Sequence, residues 1–280
     1  MNFRLILKNL GIVLVTEAAC MLLPLMVSVI YGQYDVKAFA ISILITLSFG
    51  FCLYRIKPVQ KNFYSRDGFA LVAVSWFLVS LFGALPFILS GAIPSFIDAL
   101  FETVSGFTTT GSTILKEIEG LPRGILFWRS FTHWMGGMGV LVLMLAVLPK
   151  AGASTVHIMQ AESPGPTVSK LVPKIGQTAK ILYGIYIILT IVQVILLVIC
   201  GMPLYDAFIH AFGTAGTGGF SSKNLSVGAY NNVYAEVIIT VSMFIFGTNF
   251  ALYYQALKGN IKSIFRDEEF RFYLGTVLIS

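Results

Sequence analysis

Two stretches of the chain combine threonine, serine and glycine in a way that could place backbone oxygens around an ion. Residues 98–112 read DALFETVSGFTTTGS, and residues 206–220 read DAFIHAFGTAGTGGF. Both begin as a short amphipathic helix and end in a hydroxyl- and glycine-rich segment. A ring of inward-turned carbonyl oxygens can replace the water around a cation, and glycine tolerates the backbone conformations that this requires. The pattern therefore predicts a cation site built from main-chain oxygens.

The two stretches align without a gap at a constant spacing of 108 residues. Identical residues occupy four aligned positions: Asp98 and Asp206, Ala99 and Ala207, Thr109 and Thr217, Gly111 and Gly219. Apolar runs flank both copies in the same order, which supports an internal repeat. For either copy alone, a glycine-rich bend without an ion is an equal alternative, and the repetition favours the ion site.

The composition places these stretches in a membrane protein. The chain of 280 residues is 56% hydrophobic and 11% charged, with a mean hydropathy of +0.83, whereas soluble domains carry about 25% charged residues. The cysteines lie in apolar runs without metal-ligand spacing, and motifs such as H-E-x-x-H, C-x-x-C, the P-loop and G-x-S-x-G are absent from the sequence. These features argue against an enzyme.

Six apolar runs predict membrane spans at residues 5–30, 36–56, 68–89, 125–148, 179–200 and 233–257. We expect Pro24 to kink the first span. The short helices at 98–107 and 206–215 cannot cross about 30 Å of hydrocarbon, which takes roughly 20 residues, so we expect both to be re-entrant. The run at 270–280 is also too short, and the chain reads as cut inside a seventh span.

This order predicts an all-α membrane protein with an internal repeat. The predicted units are two N-terminal spans (1–66), a first span–loop–span repeat (67–148), a cytoplasmic loop (149–178), a second repeat (179–257), and a cytoplasmic linker with the start of a third repeat (258–280). Fourteen Lys and Arg residues fall on the side of the N-terminus and five on the other. The positive-inside rule then predicts a cytoplasmic N-terminus, with both re-entrant loops entering from outside.

Polar residues near the predicted loops have several possible roles. Glu102 could attract cations or could be a hydrogen-bonded acid behind the loop, and we leave both interpretations open. Asp98 and Asp206 are expected to stabilise helix N-termini. Arg129 and His133 are expected to snorkel or to pair internally. The glycines at 136, 137 and 139 are expected to permit close helix packing.

The motifs ETVSGFTTTGS, GTAGTGGFS and HWMGGMG resemble the Trk/Ktr potassium-transporter superfamily, specifically its TrkH-type pore subunits, over essentially the whole chain. The resemblance implies four M1–P–M2 repeats around one pore, with K⁺ as the bound and transported ion and no cofactor. It implies a K⁺ filter formed mainly by the backbone carbonyls of Thr109, Thr110, Gly111, Ser112, Thr217, Gly218, Gly219 and Phe220. Repeats three and four and the gating loop of the third are absent, so this chain is expected to supply half of a filter.

By the same resemblance, the intact protein is expected in the bacterial inner membrane, as a homodimer in contact with lipid. It is expected to dock a cytosolic nucleotide-binding regulatory subunit, and no nucleic-acid partner is expected, because the positive charge follows the membrane topology. Two alternatives remain open. One is an ion-coupled solute symporter, which would need broken helices lined by aromatic residues, and the other is a non-conducting truncated subunit that only assembles with others.

Overall fold

A computed structural model describes residues 2–58, 65–139, 175–257, 259 and 262–279. Over these residues the regular elements are helices, without strands, which confirms the predicted all-α class. The α-helices are α1 (Phe3–Cys20), α2 (Leu22–Ile30), α3 (Val36–Tyr54), α4 (Ser65–Gly83), α5 (Leu85–Leu89), α6 (Phe96–Phe107), α7 (Arg123–Gly137), α8 (Ile175–Ile199), α9 (Leu204–Ala215), α10 (Val233–Phe246), α11 (Phe250–Leu257), α12 (Lys262–Arg266) and α13 (Glu268–Ile279). A 3₁₀ helix spans Ser226–Tyr230.

Four of the predicted spans are helices long and apolar enough to cross a membrane. They are Phe3–Ile30, Val36–Tyr54, Arg66–Leu89 and Ala179–Ile199. The predicted span at 125–148 begins as α7, and its residues 140–148 lie outside the described residues. The same holds for the predicted cytoplasmic loop up to residue 174.

The first span is interrupted between α1 and α2 at Met21. Pro24 has no N–H to bond the carbonyl of Cys20, so one hydrogen bond of the helical ladder is missing there. The ladder continues on both sides, since Met21 N–H donates to the Glu17 carbonyl and Leu25 N–H donates to the Met21 carbonyl. The break therefore lies within one turn of Pro24, as expected.

The sixth predicted span is not one continuous helix. It bends by 87° between α10 and α11, at residues 247–249. Thr248 and Tyr273 donate their hydroxyls to the carbonyl of Phe244, at 3.0 and 3.3 Å, and Tyr253 donates to the carbonyl of Ile245 at 2.7 Å. These bonds satisfy carbonyls released by the bend, which an apolar environment requires.

Helix α7 forms the centre of the described structure, between α6 and α9. Its residues from Gly124 to His133 are all buried. The Trp128 indole N–H donates to the Gly83 carbonyl at 2.9 Å, and Phe131 packs on Phe212 with ring centroids 5.3 Å apart. Because both short helices contact α7, one element sets the position of both predicted loops.

Two glycines of α7 permit this close approach. A Cβ at Gly136 would overlap the carbonyl oxygen of Phe107 at the end of α6, and a Cβ at Gly137 would lie 3.0 Å from the Cα of Gly216 after α9. The expected packing role is thus confirmed for these two positions.

Candidate cation site

The two short helices are equivalent in length and position. Helices α6 and α9 contain 12 residues each, and both of their ends are offset by the same 108 residues. At 1.5 Å per residue each is about 18 Å long, well short of the hydrocarbon thickness of about 30 Å. Asp98 and Asp206 lie in their first turns, where a carboxylate is stabilised by the helix dipole.

The segments that follow these helices repeat the same hydrogen bonds. We call residues 108–112 segment I and residues 216–220 segment II. In segment I, Thr109 N–H donates to the Gly106 carbonyl at 3.0 Å and Thr110 N–H to the Ser105 carbonyl at 2.9 Å. In segment II, Thr217 N–H donates to the Thr214 carbonyl at 2.8 Å and Gly218 N–H to the Gly213 carbonyl at 3.0 Å. The internal repeat seen in the sequence is therefore repeated in the backbone.

The backbone torsions of the two segments repeat as well. Thr109 and Thr217 both have φ of 55°, and Gly111 and Gly219 have φ of 77° and 85°. A positive φ is uncommon for a residue with a side chain, and strained backbone of this kind clusters at ligand sites. The same strained conformation at the same two positions of both copies points to a shared role.

Segments I and II are in contact. A Cβ on Gly111 would overlap the carbonyl oxygen of Gly218, so only glycine permits this approach. Thr110 and Ser112 of segment I and Thr217 and Gly219 of segment II are exposed on the described structure. The structure thus brings the predicted residues of both loops together on an open surface.

Within the described residues, nine of the ten carbonyls of the two segments accept no hydrogen bond, and they include those of Thr109, Thr110, Gly111, Thr217, Gly218 and Gly219. Backbone carbonyls are normally paired, so these oxygens are available to a ligand. The carbonyl of Ser112, by contrast, accepts a hydrogen bond from the Ser105 hydroxyl at 2.6 Å. At the aligned position, the Phe220 carbonyl lies against Gly213, whose Cβ would overlap it.

Glu102 lies behind segment I as part of a buried ion pair. Its Oε1 is 2.5 Å from Nε of Arg129, and both side chains are almost fully buried. The carboxylate also accepts hydrogen bonds from the Thr113 hydroxyl at 2.9 Å and the Ile114 N–H at 2.9 Å. This decides between the two interpretations of Glu102 in favour of a hydrogen-bonded acid behind the loop. Arg129 pairs internally, as expected.

Arg129 also reaches segment II. Its Nη1 donates to the carbonyl of Ser221 at 3.3 Å, and its guanidinium lies 3.6 Å from the centroid of the Phe220 ring. The opposite face of that ring stacks on His133, with centroids 3.8 Å apart. The side chain of Phe220 is therefore buried between a cation and an imidazole.

The position of Glu102 is occupied by His210 behind segment II. His210 Nε2 lies 3.4 Å from the Ser221 hydroxyl, which aligns with Thr113 in the first copy. Ser222 donates to Asp206 at 2.6 Å and lies 3.4 Å from the Tyr230 hydroxyl. Burial raises the pKa of Tyr230 to about 12, so this hydroxyl keeps its proton at neutral pH.

The sequence did not predict the aromatic and charged contacts behind the segments. Arg129 and Phe220 are 91 positions apart in the chain, and their stacking depends on tertiary packing. The one available signal was a charged residue in an apolar run, which in a membrane indicates a paired or functional group. Within the described residues, no cluster of three or more His, Cys, Asp or Glu side chains could hold a metal ion.

Comparisons with known proteins show which family this chain is similar to. A family model for TrkH, described as a cation transport protein, matches residues 35–277. The Trk system potassium uptake protein TrkH of Salmonella typhimurium is 38% identical over 99% of this chain, and TrkG of Escherichia coli K12 is 35% identical over 98%. The crystal structure of the potassium transporter TrkH from Vibrio parahaemolyticus matches with a TM-score of 0.83 and 32% identity over 98% of this chain.

These matches cover part of each relative. The chain spans 58% of the Salmonella protein, 57% of the Escherichia coli TrkG protein and 56% of the Vibrio chain.

Proposed function

Because the chain belongs to the TrkH family of cation transport proteins, we propose that it forms half of a potassium uptake pore. In this proposal, segments I and II are two of the segments that coordinate K⁺ as it passes. The coordinating groups are drawn from the backbone carbonyls of Thr109, Thr110, Gly111, Ser112, Thr217, Gly218, Gly219 and Phe220. Of these, the Ser112 carbonyl already accepts a hydrogen bond from Ser105 and the Phe220 carbonyl lies against Gly213, so the other six are the more accessible. Potassium is the ion named for the relatives, and we extend it to this chain.

One observation carries the proposal: two touching segments share the same strained backbone and leave nine of their ten carbonyls without partners among the described residues. Oxygens in this state can replace the water around a cation. The dipoles of α6 and α9 add to the effect, because the carbonyl end of each helix leads into its segment.

The proposal also includes the orientation of the chain in the membrane and its assembly with other subunits. The Lys and Arg distribution supports a cytoplasmic N-terminus in a bacterial inner membrane, with both loops entering from outside. The membrane potential then favours inward K⁺ movement by about 2.3 kcal/mol per charge per 100 mV. Two segments supply half of a ring of coordinating oxygens, so conduction requires further segments. The family resemblance supports a homodimer and a cytosolic regulatory subunit as partners.

Within the described residues, the bend at residues 247–249 favours a solute symporter, because such proteins bind solutes at broken helices. However, the carbonyls of Phe244 and Ile245 at this bend already accept hydrogen bonds from side-chain hydroxyls. Their pairing weakens that alternative, since a solute would have to displace these bonds.

The test is uptake of ⁸⁶Rb⁺ in a strain that lacks its own potassium transport, with this chain as part of a complete transporter. We expect Gly111→Ala to abolish uptake. The alanine would have to adopt a φ of 77°, and its Cβ would overlap the Gly218 carbonyl. The matched control is Gly120→Ala, since that glycine has open space around it. Uptake by Gly111→Ala equal to the Gly120→Ala control would reject the filter assignment.

A further inference from the structure

We propose that Arg129 is a positioning residue that holds segments I and II at the spacing required to select K⁺ over Na⁺. This inference rests on the proposed function, because it assumes that the segments coordinate the ion. It adds that selectivity depends on a side chain that does not touch the ion and that joins the two repeats.

Arg129 is buried beside both short helices. It lies in α7, which contacts α6 and α9, and only 2% of its surface is exposed. Its Nε contacts Glu102 of α6, and Glu102 in turn accepts hydrogen bonds from Thr113 and Ile114, the two residues that follow segment I. One end of this network therefore fixes the point where segment I ends.

Arg129 also contacts the second repeat, at the end of segment II. The Nη1 of Arg129 donates to the Ser221 carbonyl at 3.3 Å, and its guanidinium covers the ring of Phe220 at 3.6 Å. Phe220 is the last residue of segment II, and Ser221 follows it. The same side chain therefore fixes the end of segment II, so the two ends are joined through one guanidinium.

The guanidinium of Arg129 is suited to making these contacts at the same time. A guanidinium is planar, stays charged, and can donate to a carboxylate and a carbonyl in fixed directions while stacking on an aromatic face. A lysine ammonium could pair with Glu102 but lacks the fork and the flat face. A rigid connection of this kind resists small changes in the spacing of Gly111 and Gly218, which are already in contact.

A second such connection is absent from the described residues. The position aligned with Arg129 in the second repeat is Val237, whose side chain is 55% exposed. Another ion pair between the repeats, Lys223 with Glu119 at 3.6 Å, lies on the surface with roughly half of each side chain exposed. Exposed pairs contribute little. Other buried contacts between the repeats, such as Tyr186 with the Trp134 carbonyl, are uncharged, so among the described residues Arg129 is the buried charged side chain that contacts the ends of both segments.

The experiment compares two neutralised pairs in a complete transporter that contains this chain. The test variant is Glu102→Gln with Arg129→Gln, which removes the guanidinium without leaving a buried charge. The control is Glu119→Gln with Lys223→Gln, which removes the exposed pair. For both we would measure ⁸⁶Rb⁺ and ²²Na⁺ uptake, and the shift in thermal unfolding of the purified protein between KCl and NaCl.

We expect the Rb⁺-to-Na⁺ uptake ratio of the test variant to fall about tenfold, because the spacing of the two segments is no longer held, while the control keeps the parent ratio. Tenfold corresponds to about 1.4 kcal/mol of discrimination between the two ions. Arg129→Lys should also lower the ratio, and it serves as the test if the double variant does not reach the membrane. A parent-like ratio in either Arg129 variant would overturn the inference. If the parent itself shows neither K⁺-selective uptake nor K⁺-dependent stabilisation, the proposed function fails instead.

Discussion

Segments I and II have nearly the same backbone, but different groups hold them in place. Segment I is backed by the Glu102–Arg129 ion pair, whose carboxylate also binds the residues after the segment. Segment II has His210 at the aligned position, where Nε2 lies 3.4 Å from the Ser221 hydroxyl and the ring packs edge-on against Tyr230. Its firm support comes from the Phe220 ring, which is enclosed by Arg129 and His133.

The comparison shows that one backbone conformation can be stabilised in two ways. A buried ion pair depends on both partners, because removing one leaves an uncompensated charge. An enclosed aromatic ring depends instead on buried area and stacking. Both arrangements use Arg129, which makes segment II dependent on a residue of the first repeat, whereas the contacts behind segment I come from its own repeat.

The largest expected difference comes from replacing the two aligned acid and imidazole side chains. Glu102→Gln should lower the free energy of unfolding by about 3–5 kcal/mol, because it leaves the Arg129 charge buried without a partner. His210→Gln should cost about 1 kcal/mol, the value of one modest hydrogen bond. Thermal or denaturant unfolding in detergent measures both. Equal losses would contradict the proposed difference between the two supports.

The next largest effect is a difference in uptake between variants of the two glycines with positive φ, Gly111 and Gly219. Gly219→Ala should cost about 1–2 kcal/mol from its positive φ alone, since nothing lies within 4 Å of the added Cβ. Gly111→Ala carries a similar strain and also overlaps Gly218. We therefore expect more residual ⁸⁶Rb⁺ uptake in Gly219→Ala than in Gly111→Ala, and the reverse order would show that this contact does not matter.

A smaller effect is expected at the hydrogen bond that Ser105 makes to the end of segment I. Ser105→Ala removes the donor to the Ser112 carbonyl and should lower the free energy of unfolding by about 1 kcal/mol. The aligned residue in the second copy is Gly213, which has no hydroxyl and makes no such bond. The variant therefore makes segment I resemble segment II in lacking this hydrogen bond. A stability unchanged from the parent would mean that water replaces the hydroxyl fully.

The smallest effect is expected at the surface connection between the repeats. Lys223→Gln should change the free energy of unfolding by less than about 1 kcal/mol, because its pairing with Glu119 is exposed to solvent. The change should shrink further in high salt, as exposed pairs are screened. A loss as large as that of Glu102→Gln would contradict the contrast between buried and exposed pairs.

The sequence predicted the family, the helical class and the position of both segments. The constant spacing of 108 residues aligned Gly111 with Gly219, and both have a positive φ in the structure. The family predicted from the loop motifs is confirmed by the match over residues 35–277. That the carbonyls coordinate K⁺ stays a prediction.

Other features could not be predicted because they depend on tertiary contacts. The apolar run at 233–257 contains no proline, so hydropathy indicated a continuous span, and the bend depends on hydroxyls that include Tyr273 from α13. Glu102 and Arg129 lie 27 positions apart on different helices, and spacing alone could not show their pairing. Phe220 was predicted for its backbone, and the burial of its ring between Arg129 and His133 became visible only in the structure.

The guanidinium at the junction also makes the two duplicated units non-interchangeable. If the second unit stood in the place of the first, Val237 would face the neighbouring Phe220-type ring and no cation would cover it. If two first units stood in succession, Ser112 would meet the arginine where an aromatic ring is needed. The two units therefore have a fixed order, and a recombination that shuffles them would produce a mismatched junction.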